Sequence, residues 1–342
     1  MRLATSSLLI LLLSAAVAVG CGMDMEPPGD GNGGGGGTGG GGNGGGGGNG
    51  GGGGGEVIDG AEFTGDVTQS GTFGGTIHVT GPATILEDVD IAIAPGSQII
   101  AADGASLSVR GSLLVDGTAD QTVSMLPAEG AAAWKGIVAE AGGSVTIRYA
   151  TGTLVATLLT CKADAATCAL ERIDFEHVGN IINALATATL VESRVVDMAN
   201  GAVYVRDAGD LTIRDTELMQ SNGDIVVAGG GRLLVEYSNI GGTVDTYEHC
   251  NLHIGKADAA TIRYSNIVTG TYGMMIGSVD GAVVNYNNFQ GNNVDINQVD
   301  AAVTAADFRY NYWDKGAPIS LGPEYDFSSA APAQLTGTGP RI

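Results

Sequence analysis

The chain has 342 residues, with 37 acidic against 15 basic side chains and a formal net charge of −22. That imbalance argues against nucleic acid and against anionic lipid surfaces as partners, since both would repel it. The residues from about Glu56 onward suffice for one domain with a substantial core.

Met1 to Gly20 carries one basic residue, Arg2, and then an apolar run over Leu8 to Val19. The run is too short to span a bilayer and has the form of a secretory signal. It ends in Ala18-Val19-Gly20-Cys21. This segment resembles the lipobox of bacterial lipoproteins, in which the cysteine is diacylated and becomes the mature N-terminus. The alternative is an ordinary signal with a cysteine at that place by chance. The resemblance implies stable anchoring of Cys21 through more than one acyl chain. Gly22 rather than Asp after the cysteine resembles the sorting pattern for the outer membrane of a Gram-negative bacterium. Residues 21–55 are read as a lipid-anchored tether. Its stretch from Gly29 to Gly55 holds 22 glycines in 27 residues, so it buries too little apolar area to offset its chain entropy.

From Thr76 to Gly117, short runs alternate apolar and polar between Gly, Asp and Pro: Ile77-His78-Val79, Ile91-Ala92-Ile93, Leu107-Ser108-Val109 and Leu113-Leu114-Val115. These are short strands separated by turns. Trp134-Lys135-Gly136-Ile137 opens a further strand, continued by Ser144 to Ile147. Farther on, a pattern recurs: Val235-Glu236-Tyr237-Ser238-Asn239-Ile240, Ile262-Arg263-Tyr264-Ser265-Asn266-Ile267, Val284-Asn285-Tyr286-Asn287-Asn288-Phe289 and Phe308-Arg309-Tyr310-Asn311-Tyr312-Trp313. Looser copies begin at Ile147, Leu170, Leu190 and Ile213. Successive leading residues are 23, 20, 23, 22, 27, 22 and 24 apart. A period near 22 with β-type residues in fixed phase predicts an all-β solenoid of roughly eleven stacked coils, each strand pairing with its equivalent above and below.

The repeat, the Trp134 to Ile137 segment and the closing Asn311-Tyr312-Trp313 resemble right-handed parallel β-helix proteins of the pectate-lyase-like superfamily, over about Thr76 to Pro318. Asp314 departs from the pattern, standing where those proteins commonly have glycine. The resemblance implies a single-stranded right-handed parallel β-helix across residues 56–342. Glu56 to Gly75 and the proline-bearing stretch from Lys315 to Ile342 would be its terminal caps.

Stacking turns the repeat into columns. The leading residues form an inward apolar ladder, and Ser193, Thr216, Ser238, Ser265, Asn287 and Asn311 form a small polar run that bonds nearby backbone, with Asn tolerating left-handed turn geometry. Arg214, Glu236 and Arg263 alternate in sign on what reads as a solvated face. Tyr237, Tyr264, Tyr286 and Tyr310 stack on four successive coils, where earlier coils carry Tyr149, Arg172, Glu192 and Asp215, and this suggests an exposed position. The tyrosines form either a platform for a glycan chain or a ladder that stabilises the turns. Cys161 and Cys168 either close a short disulfide loop, leaving Cys250 odd, or are, with Cys250, small buried apolar residues.

The best-known members of that superfamily cleave polysaccharides, and the resemblance would carry their chemistry only through matching residues. The chain has no Trp-x-x-Asp-His or Arg-x-Pro-x-x-Arg segment like the pectate lyases and no Asn-Thr-Asp, Asp-Asp or Gly-His-Gly set like the polygalacturonases. No catalytic residue carries over, and no cofactor is expected. Glu248-His249-Cys250-Asn251-Leu252-His253, with Asp245, holds donors that Zn²⁺ accepts. The preferred reading assigns no metal: Cys250, Leu252 and Ile254 point inward, His249 lies in a loop and His253 faces water. Glu171, Asp174, Glu176 and His177 are read as surface charge sent to different faces by strand alternation. The functional expectation is a non-catalytic binding or scaffold β-helix on a lipoprotein at the outer membrane or cell surface. Its partners would be the membrane through the anchor and polysaccharide, matrix or envelope proteins. The alternatives are a polysaccharide lyase or glycoside hydrolase, and an adhesin or structural spacer.

Overall fold

The computed structural model describes residues 56–243, 249–279, 281–299 and 305–341. The segment read as a signal, Cys21 and the glycine-rich stretch read as a tether lie outside the described residues, as do Asp245 and Glu248. The described chain is all β, a parallel solenoid of about 11 turns with roughly 22 residues between turns. A typical inner coil contributes a strand to each of three parallel sheets. In one coil these are Ala259–Arg263, Asn266–Val268 and Tyr272–Val279, in sheets one, two and three respectively.

The sequence repeat and the strand register coincide. In sheet one, Ile147 pairs with Leu170, Leu170 with Leu190, and the series continues through Ile213, Val235, Ile262 and Val284. All seven are fully buried, as is Phe308 on the next coil. Sheet two stacks Phe175, Val195, Leu218, Ile240, Ile267, Phe289 and Trp313 in the same way. Sheet three stacks Ile137, Leu159, Ile182, Val203, Val226, Leu252, Met274 and Ile296. β-Branched and leucine side chains fit a pleated, buried surface. Each one fully buried contributes about 1.5–3 kcal/mol.

The two ends of the solenoid close in different ways. Val57–Val67 is not a separate cap. It bends through all three sheets and pairs in three segments with Gly71–Ile85, so it is itself the first coil. At the other end, Tyr325 and Phe327 pack against Phe308 and Trp313 and close the last coil with aromatic area. Asp314 has a local task there: its carboxylate accepts from the Gly291 amide at 2.6 Å. Gly136, in the Trp134 to Ile137 segment, has φ 94°, and a Cβ there would sit 1.7 Å from the Thr157 carbonyl oxygen. Only glycine lets the two coils approach so closely.

Candidate functional site

The corner between sheets one and two carries the most regular chemistry. Ser193, Thr216, Ser238, Ser265, Asn287 and Asn311 are all at most 1 % exposed. Each side chain serves backbone on its own or a neighbouring coil. Ser238 Oγ donates to the Glu236 carbonyl at 2.9 Å, and the Ser238 amide donates to Ser265 Oγ at 3.1 Å. The Ser265 amide donates to Asn287 Oδ1 at 2.9 Å, and the Asn287 amide to Asn311 Oδ1 at 2.8 Å. The ladder is therefore a set of backbone partners buried where water cannot serve.

The left-handed geometry falls one residue earlier than expected. Tyr149, Arg172, Glu192, Asp215, Tyr237, Tyr264, Tyr286 and Tyr310 all have φ between 47° and 64°. The reason is directional: a left-handed residue turns the chain and throws its own side chain outward. That leaves the following residue to point in, and from Glu192 onward that residue is a Ser, Thr or Asn that bonds the backbone.

The tyrosines stack face to face. Centroids are 5.0 Å apart for Tyr237 and Tyr264, 5.4 Å for Tyr264 and Tyr286, and 5.0 Å for Tyr286 and Tyr310, with planes within 17°. The Arg341 guanidinium lies 3.6 Å above Tyr237 at one end, and Arg309 lies 5.7 Å from the Tyr310 ring at the other. Ring faces are thus turned on one another, and the column presents edges and hydroxyls to solvent. Exposure is also uneven. Tyr286 and Tyr310 are 39 % and 37 % exposed, but Asp215 of the same column is 7 % exposed.

The cause is the C-terminal segment, which runs back along this corner. The Ala331 amide reaches the Asn311 carbonyl, the Leu335 amide Asn288 Oδ1, the Gly339 amide the Tyr264 carbonyl, and Arg341 forms a two-pronged pair with Asp215 at 2.7 and 2.6 Å. That guanidinium holds the Asp215 carboxyl below the usual carboxylate range. The strap also ties down Asn266 and Asn288, and the side-chain amides of Asn239, Asn266 and Asn288 bond one to the next at 2.8 and 2.9 Å.

The face of sheet one carries ion pairs between coils. Arg148 meets Glu171 at 3.0 Å, and Glu236 is held by both Arg214 and Arg263 at 2.9 and 2.6 Å. Glu236 is not solvated as expected but only 6 % exposed, roofed by its two guanidinium partners. Beside these charges runs an outward column through Ala92, Leu114, Thr146, Ala169, Thr189, Thr212, Leu234, Thr261 and Val283.

On sheet two, Asp174 and Glu176 are not sent apart. They are two residues apart on Asp174–Val178, with Phe175 buried between them, so both face out. Together with Thr151, Thr153 and Arg194 they line a shallow groove, and Arg194 pairs with Asp174 at 2.8 Å. Glu171 belongs to sheet one, and His177 sits at the next corner, paired with Asp197.

Cys161 and Cys168 are joined in a disulfide with a Cα–Cα separation of 6.2 Å, which bridges Thr157–Cys161 to Thr167–Glu171. Cys250, Leu252 and Ile254 point inward as expected. His253 does not simply face water. Its Nδ1 lies 2.7 Å from Asp224 Oδ2, and His249 Nδ1 lies 3.3 Å from Asp224 Oδ1. Cys250 donates to that same Oδ1 from its amide at 2.8 Å and from its thiol at 3.3 Å. Burial pushes the Asp224 carboxyl up, but the bonds from His253 and Cys250 outweigh it and hold it below the usual carboxylate range. Burial and the neighbouring Asp224 push the Cys250 thiol well up. Asp224 was not legible as a partner because it stands one coil upstream, 29 residues from His253.

Compared with protein-family models, curated proteins and solved structures, the chain matches none.

Proposed function

We propose that the chain is a cell-envelope lipoprotein whose β-solenoid is a non-catalytic binding or scaffold module, with polysaccharide or matrix as its leading partner. The observation that carries this reading is the outward column of sheet one. Threonine and aliphatic side chains from Ala92 to Val283 follow one another on successive coils, at roughly 4.8 Å per coil. A linear polymer laid along the column meets a hydroxyl or an aliphatic group at every step, and many weak contacts add to useful affinity. The tyrosine corner is the lesser surface, because its ring faces are already occupied. The lipobox-like segment ending in Cys21, the glycine tether and the resemblance to exported β-helix proteins of the pectate-lyase-like superfamily support the envelope location.

A second reading is a glycoside hydrolase, favoured by Asp174 and Glu176 together on the wall of one groove. Paired carboxylates are the equipment such hydrolysis needs. Against it, Arg194 already neutralises Asp174. One experiment separates the two. The full-length chain is incubated with neutral and acidic polysaccharides, and both protein retention and polymer length are followed. Retention with unchanged length supports the binding module. Shortening that disappears in Asp174→Asn or Glu176→Gln supports the hydrolase and ends the first reading. Neither retention nor shortening ends both and leaves a spacer.

A further inference from the structure

Of the four histidines in the chain, two converge on one carboxylate beside the one described cysteine outside the disulfide. We propose that Asp224, His249, Cys250 and His253 form a zinc site at the corner between sheets two and three. The residues come from two adjacent coils. Asp224 immediately precedes the run into Val226–Gly229, and Cys250 and His253 belong to Cys250–Ala257, which pairs with that strand. The stack brings together donors that the sequence holds 25 to 29 residues apart.

The spacing is close to what the ion needs: Asp224, Cys250 and His253 form the convergent group, His249 joins it through Asp224, and the 2.7 Å hydrogen bond between His253 Nδ1 and Asp224 Oδ2 has to open on binding. Zinc bonds of about 2.0 Å to nitrogen or oxygen and 2.3 Å to sulfur place tetrahedral ligands about 3.3–3.8 Å from each other. Here Cys250 Sγ and Asp224 Oδ1 are 3.3 Å apart, as are His249 Nδ1 and Asp224 Oδ1. Donor atoms of Asp224, Cys250 and His253 all lie within 4.8 Å of one another. The chemistry fits as well. One sulfur, two imidazoles and one carboxylate suit a borderline ion such as Zn²⁺, whereas Ca²⁺ and Mg²⁺ take oxygen ligands. Cys250 is fully buried, and the side chains of His249, His253 and Asp224 are 27 %, 28 % and 20 % exposed. The sulfur therefore sits at the floor and the imidazoles at a rim through which an ion can enter. On binding, the thiol proton leaves to solvent and the thiolate takes its place on the metal.

A surface pair such as His177 with Asp197 shows what the bland case looks like: one histidine, one acid and no third donor type, with side chains more than half exposed. The site at Asp224 is larger, mixed and half-sheltered. In this role zinc would clamp two coils together beside the longest interval of the repeat.

The test uses the full-length chain freed of metal by a chelator and titrated with Zn²⁺ by calorimetry and with Co²⁺ by absorption. One equivalent of zinc per chain is expected, with tetrahedral cobalt bands and a thiolate-to-cobalt charge-transfer band. His253→Ala and Asp224→Asn should each weaken zinc binding about a hundredfold or more, since even outer partners of a ligand are worth 10–100-fold. Cys250→Ser should remove the charge-transfer band. Circular dichroism checks the fold of each variant, and should Cys250→Ser fail to fold, His253→Ala at the rim still decides. Absence of stoichiometric zinc binding overturns the proposal. So does binding that survives both His253→Ala and Asp224→Asn, or cobalt spectra without a thiolate band in the native chain.

Discussion

Replacing Asn287 by alanine tests the reasoning about the buried polar ladder most sharply. Asn287 is fully buried; its Oδ1 accepts from the Ser265 amide at 2.9 Å, and its Nδ2 donates to the Ile262 carbonyl at 2.9 Å and to Asn311 Oδ1 at 3.1 Å. Truncation removes the partner of a backbone amide, and of a carbonyl on the adjoining coil. Each buried polar group left unpaired costs about 1–3 kcal/mol, and a small cavity adds to that. The expected loss is about 3–5 kcal/mol. Asn287→Ser should cost less, because serine fills the same column at Ser238 and Ser265. Asn287→Leu restores volume but no hydrogen bond and should stay close to alanine. Urea midpoints by circular dichroism give the ordering, and hydrogen exchange at the Ser265 amide gives the local effect, which matters because repeat arrays need not unfold in one step. An alanine variant within about 1 kcal/mol of native, or a leucine variant as stable as native, refutes the account.

Three further outcomes follow from the same corner and the closing coil. Tyr286 stacks on two rings at φ 59°. Glycine there loses two stacks of about 0.5–1.5 kcal/mol each but regains about 1–2 kcal/mol of left-handed strain. Thermal melts should therefore rank Tyr286→Gly above Tyr286→Ala and Tyr286→Val lowest, and a valine variant matching glycine would contradict the turn assignment. Asp307, held by the Arg309 guanidinium, has its carboxyl lowered from 3.8 to about 2. Because the folded value is depressed, its stabilisation is present above pH 4 and is lost as pH falls toward about 2. Asp307→Asn should flatten urea midpoints across that window; an unchanged slope would show that Asp307 is not the group concerned. Arg341→Ala removes both the Asp215 pair and the cover on Tyr237. It should speed hydrogen exchange at the Gly339 amide and lower the melting temperature, and exchange at the native rate would mean that the strap is held elsewhere.

The solenoid was legible because stacking makes equivalent residues meet. A leading apolar residue every 22 or so positions can satisfy every coil only if those residues pair in register, as Ile147 through Val284 do. The buried Ser and Asn column was legible for the same reason. The C-terminal strap was not, since Arg341 bonds Asp215 across 126 residues with no periodic signal. The ladder residue and the left-handed residue were confused because both precede the second strand, and sequence alone does not say which side chain turns in. Asp174 and Glu176 follow strand alternation, which places residues two apart on one face. Asp224 lacked any local mark. Its partners His249, Cys250 and His253 stood together in sequence, but the carboxylate that gathers them comes from the preceding coil.

Envelope placement of the solenoid is the central proposal, and acylation of Cys21 with exposure of the solenoid tests it in one preparation. The producing organism is grown with labelled fatty acid, the intact cells are treated with a protease, and the chain is recovered. Label is expected on the native chain and none on Cys21→Ser, with the solenoid cleaved on intact cells. A native chain without label, or one that the protease cannot reach until the cells are broken, would contradict it.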